Sequence, residues 1–160
     1  MNFETFSQQI QALIKNPVFL AAVSSWFITQ FTKTLVSILK NKVHKVSDIF
    51  SLMFWRTGGM PSSHSALVCS VTTAIGFHSV VKSDFFVLSF CLAMIVIRDA
   101  LGVRRSSGIQ AKTLNELGKK LNQKLQISYK PVKEIQGHQP AEVLVGAVMG
   151  FFIGLAFSVL

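Results

Sequence analysis

VFLAAVSSWFITQFTKTLVSIL, residues 18–39, carries a single charge, Lys33, in 22 residues. At 1.5 Å per residue a helix of that length crosses a hydrocarbon core of about 30 Å. The rest of the chain agrees: of 160 residues, 50% are hydrophobic and 14% charged. Such a composition excludes a disordered chain or an ordinary soluble domain and predicts an all-α integral membrane helical bundle. Upstream, Phe3, Phe6, Ile10, Leu13 and Ile14 fall on one side of a short helix ending before Pro17, which fits a helix lying in the membrane interface. A frayed terminus is the other reading of the same residues. The first apolar run has neither a basic region before it nor a small-residue cleavage pattern, so it reads as a retained span.

Downstream, three further runs raise the expected number of crossings to about four. Residues 64–81 include Ser65, Ser70, Thr72, Thr73 and His78 and should face other helices more than lipid. After the polar turn Lys82-Ser83-Asp84, residues 85–97 are uninterruptedly apolar but short, a tilted span with Arg98 and Asp99 at the interface. Residues 141–160 carry one charge, Glu142, and place Gly146, Gly150 and Gly154 on one helical face, where a neighbouring helix or a second copy of the chain can approach closely. Between the last two runs, Leu114, Leu117, Leu121 and Leu125 recur at helical spacing among Lys112, Lys119, Lys120 and Lys124. This amphipathic surface helix is expected to lie on the membrane or cap the bundle. Without an internal repeat or linker, residues 1–160 read as one domain. Cys69 and Cys91 sit in apolar runs without metal-ligand spacing, so neither a disulfide framework nor a zinc site is expected.

The net charge of +9 points to membrane lipid headgroups or phosphate as partners, and away from nucleic acid. With four crossings, one side holds Lys40, Lys42, Lys45 and Arg56 together with the nine cations from Arg98 to Lys133, against Lys15 and Lys82 opposite. The positive-inside rule makes the heavily charged side cytoplasmic.

That side also gathers the polar motifs. Arg56-Thr57-Gly58-Gly59-Met60-Pro61-Ser62-Ser63-His64 can offer backbone N–H groups, the Ser62 and Ser63 hydroxyls and a helix N-terminus to an anion, with His64 as proton donor. A plain N-cap is the alternative. His138 and Glu142 are four apart, so the carboxylate can orient the imidazole, or simply cap the helix. Arg98-Asp99 and Arg104-Arg105 frame a third focus, read either as lipid-headgroup anchors or as guanidinium groups steadied by Asp99. Lys33, inside a span, is a functional candidate unless it snorkels. Two histidines, an acid and several cations on one face fit phosphoryl transfer. No carboxylate cluster for two metals is present, so a covalent mechanism without metal or other cofactor is expected.

GGMPSSHSA at 58–66, RDALGVRR at 98–105 followed by a Lys/Leu helix, and GHQPAEVLVGA at 137–147 resemble the divergent branch of the type 2 phosphatidic acid phosphatase superfamily, which is related to vanadium haloperoxidases. The resemblance covers nearly the whole chain. It implies that His64 is the acid and His138 the nucleophile that becomes phosphohistidine, with Glu142 in place of an orienting Asp. Ser63 stands where the superfamily has Gly, and Val132, six residues before the nucleophile, where it has Arg. The superfamily's first motif has an echo in Lys33 and Lys40-Asn41. Arg104 or Arg105 is therefore expected to supply the guanidinium, and Lys33 and Arg56 further positive charge. The leading expectation is a membrane enzyme hydrolysing a lipid phosphomonoester or pyrophosphate. The rival is a lipid-phosphate binder or transporter that keeps the anion pocket without turnover.

Overall fold

The computed structural model describes residues 3–39, 59–134 and 137–159, which contain helices and connecting chain but no strand. Phe3–Lys15 (α1) and Pro17–Leu39 (α2) meet at 61° around Asn16. Asn16 Oδ1 accepts the N–H groups of Val18 at 2.9 Å and Phe19 at 3.2 Å, capping α2, and Pro17 at the first helical position loses no intrahelical bond. The remaining described helices are Ser63–Ser79 (α3), Asp84–Leu101 (α4), Val103–Leu125 (α5) and Pro140–Val159 (α6). Ser83 caps α4 by accepting the Phe86 N–H at 3.2 Å, and Asp84 adds negative charge at its positive end.

The bundle is small inside and large outside. Ala21, Ala66, Ala74, Ala93, Ala100 and Val143 form the buried apolar core, whereas Phe31, Phe85, Leu88, Ile95 and Phe152 are all more than 60% exposed. In water that surface would cost about 25 cal/mol per Å². Against lipid tails it costs nothing, and close helix contact falls to small residues. A Cβ on Gly146, Gly150 or Gly154 would run into the backbone carbonyl of Ser62, Ala66 or Ser70 respectively. Each step of four on α6 is matched by a step of four on α3, so the two helices run parallel and in contact. The glycine face offered by the sequence to a second copy is thus filled by α3, and a homo-oligomer would need another surface.

α3 is the central helix, touched by α2, α4 and α6. Thr72 Oγ1 donates to the Ser89 carbonyl at 3.1 Å, tying it to α4. The run Asp84–Leu125, made of α4 and α5, and α6 are long and apolar enough to cross a membrane, and α1 with α2 adds a third if the pair, bent by 61°, is one span. The expected fourth crossing falls short of that length. α3 has 17 residues, about 26 Å of helix, begun by the Ser62 cap and wrapped by its neighbours.

Of the two placements expected for α5, capping the bundle is not seen: it follows α4 across Gly102, whose N–H donates to the Arg98 carbonyl at 2.8 Å and whose carbonyl accepts the Ser106 N–H at 2.9 Å. Together with Gly102, α4 and α5 count 42 residues, about twice what one crossing needs. Among the described helices α5 touches only α4, and Leu114, Leu117, Leu121 and Leu125 stay exposed.

Candidate active site

Because α3 and α6 are parallel, their N-termini open side by side. Pro140 starts α6, and Glu142 Oε2 accepts the Gln139 N–H at 3.1 Å, half of a capping box. At α3, Ser62 Oγ accepts the Ser65 N–H at 3.4 Å and the Ser65 hydroxyl at 2.9 Å. The Ser62 N–H in turn donates to the Glu142 carbonyl at 3.0 Å, fastening one helix start to the other. Two macrodipoles therefore turn their positive ends to the same place.

His64, exposed near the start of α3, and His138, 5% exposed and two residues ahead of α6, line one cavity with Val96, Asp99, Ala100 and Arg104. Its volume is about 10 Å³, room for roughly one water. Arg104 Nε donates to Asp99 Oδ2 at 2.6 Å, the one ion pair among the described residues, which holds the guanidinium at the cavity wall. Lys33, on α2, is 3% exposed, and its Cε comes within 3.5 Å of where a Gly59 Cβ would stand. Gly59 has φ 92°, a conformation that suits glycine, and it turns the chain beside Lys33 on the way into α3.

The Nε2 of His138 is buried without a hydrogen-bond partner. Burial pushes the imidazole's pKa below its ordinary value; the Glu142 carboxylate pulls it back up, while Lys33, His64 and Arg104 add to the lowering. The lowered pKa favours the neutral ring, the form in which an imidazole attacks phosphorus.

The other candidates are placed as follows. Ser62 and Ser63 are buried in the α3 cap. Arg105 lines a separate, open cleft of about 730 Å³ together with Gly59, Lys112, Glu134, Gln139 and Glu142. The Glu142 carboxylate spends its hydrogen bond on the α6 cap and acts on His138 through space. Arg56 and Gly58 lie outside the described residues. Among the described residues no three His, Cys, Asp or Glu side chains come together as a metal site requires. Val132 has both backbone groups bonded to Asn115, a residue that sequence reasoning passed over because a lone Asn on a lysine-rich helix looks solvated. Gly137 was passed over as well: a Cβ there would overlap the backbone of Arg104 and Arg105.

These features define a helical membrane protein with a histidine- and arginine-lined cavity at one end. The model of the Divergent PAP2 family matches residues 14–153, and the chain belongs to that family. It is 31% identical over 157 residues to the uncharacterized membrane protein YuiD of Bacillus subtilis (strain 168), covering 91% of this chain and 96% of that protein. No solved structure matches it.

Proposed function

We propose that the protein is a membrane phosphatase that hydrolyses lipid phosphomonoesters or diphosphates through a phosphohistidine on His138. The observation that carries this reading is the buried, unpaired His138 Nε2 in a cavity shared with His64 and with a guanidinium fixed by Asp99. In the first step Nε2 attacks phosphorus, an N–P bond forms, the P–O bond to the leaving group breaks, and His64 gives that oxygen a proton. In the second, water attacks the phosphohistidine, His64 takes a proton from it, and inorganic phosphate leaves. Arg104, Lys33 and the starts of α3 and α6 offset the charge on the equatorial oxygens.

A lipid substrate fits because the site lies where the apolar bundle ends, with its large side chains turned outward. The cavity has room for about one water and none for a phosphate, so it must widen to admit one. Glu142's engagement in the cap favours the second reading, a lipid-phosphate binder without turnover. Purified protein assayed against a panel of lipid phosphates separates them. Release of inorganic phosphate, inhibited by vanadate and lost in His138→Ala, is the expected result. Saturable binding without release would establish the binder.

A further inference from the structure

Asn115, midway along α5, is 6% exposed on a helix that is exposed at most positions. Its amide is fully used. Nδ2 donates to the Val132 carbonyl at 2.9 Å and to Glu134 Oε1 at 2.7 Å, while Oδ1 accepts the Val132 N–H at 2.9 Å and the Tyr129 hydroxyl. One side chain therefore pairs with both backbone groups of Val132, as a neighbouring strand would. Three residues on, Gly118 leaves room for the Tyr129 ring, which a Cβ would overlap. Near the start of the same helix, Gly137 rests on the backbone of Arg104 and Arg105.

The returning chain is thus fastened to α5 at two places. From Arg105 to Asn115 the helix rises about 15 Å. From Val132 to Gly137 the chain reaches at most about 18 Å. The lengths are close, so fixing Val132 leaves little freedom in where Gly137 lies. His138 is the next residue, and Arg104 lies under Gly137.

We propose that Asn115 is a positioning residue: by clamping Val132 to α5 it sets the His138 imidazole against Arg104. Its catalytic consequence rests on the phosphatase reading; the placement of the ring does not. Without the clamp the 137–138 segment lifts from α5, water reaches the imidazole, and the nucleophile moves off line.

The test uses full-length protein with ¹⁵N-labelled histidine in lipid nanodiscs. His138 is assigned by its loss in His138→Ala and titrated, with thermal unfolding and lipid-phosphate turnover read on the same samples. Asn115→Ala should move the His138 titration upward as its burial is lost. Glu142, Lys33, His64 and Arg104, the charged and titratable groups acting on it, all remain in the chain. The same variant should lower kcat about tenfold to a hundredfold with KM little changed. Leu117→Ala, on the exposed face of α5, should leave both at wild-type values. Tyr129→Phe removes a single hydrogen bond of the clamp, should shift the titration less but in the same direction, and replaces Asn115→Ala if that variant does not fold. Asn115→Asp sets a carboxylate against Glu134, and adding Glu134→Gln should recover part of the wild-type titration. Wild-type titration of His138 in the folded clamp variants, or equal effects of Asn115→Ala and Leu117→Ala, overturns the proposal. A shifted titration in a protein that hydrolyses no lipid phosphate leaves the positioning role standing and removes the phosphatase reading.

Discussion

A buried imidazole nitrogen with no partner costs roughly 1–3 kcal/mol of lost solvation, a cost that a ligand entering the site can recover. His138 is in that position. With its pKa lowered, chiefly by burial, the neutral nucleophile persists to a lower pH than for an ordinary imidazole. The acid limb of kcat/KM, where it reports His138, should therefore lie below about pH 6.5. Glu142 favours the imidazolium, so Glu142→Gln, which keeps an oxygen for the Gln139 N–H, should move that limb further down. An unmoved or raised limb contradicts the electrostatic assignment. His64→Ala should slow poor leaving groups far more than good ones, because only the former need its proton; equal slowing of both in a substrate series argues against the acid role. Arg104→Lys keeps the charge but loses the planar fork and the Nε bond to Asp99, and turnover should fall by an order of magnitude or so, whereas Arg105→Lys should cost little. The histidines and arginines stood out in the sequence by residue type alone. Which arginine shares a cavity with them did not, because that depends on Gly137 lying on the first turn of α5.

Among the elements, α3 and α6 form the rigid part of the site. Gly150→Ala should destabilise their contact by about 1–3 kcal/mol, since the added Cβ meets the Ala66 carbonyl, a backbone atom with nowhere to retreat. Unfolding in mixed detergent measures it, and wild-type stability would mean that the helices do not pack as described. The four-residue glycine spacing was legible as a close-packing face, but its partner was not, because a period shows a face and says nothing of what meets it. α5 shows the same limit. Its leucine and lysine pattern announced an amphipathic helix, yet its continuation from α4 follows from backbone bonds carried through Gly102, a residue that reads as a break. Asn115 was invisible for a related reason. Its four bonds depend on the chain coming back at Tyr129, Val132 and Glu134, 14, 17 and 19 residues later.

For the whole molecule, α2 and α4 run toward the site and α3 and α6 away from it, so the cations at the α4–α5 junction and along α5 share one side. Placed cytoplasmic by the positive-inside rule, that side should shield Ser128→Cys from membrane-impermeant thiol reagents in intact cells and expose it in inverted vesicles. Labelling from outside reverses the orientation without touching the chemistry. The chemistry itself is tested most directly by rapid acid-free quenching of the protein with a ³²P-labelled lipid phosphomonoester, followed by peptide mapping. Alkali-stable, acid-labile label on the peptide containing His138 in the wild-type protein, absent in His138→Ala, is the predicted result. Phosphate release without label on that peptide, or tight lipid-phosphate binding with neither label nor release, contradicts a phosphohistidine mechanism.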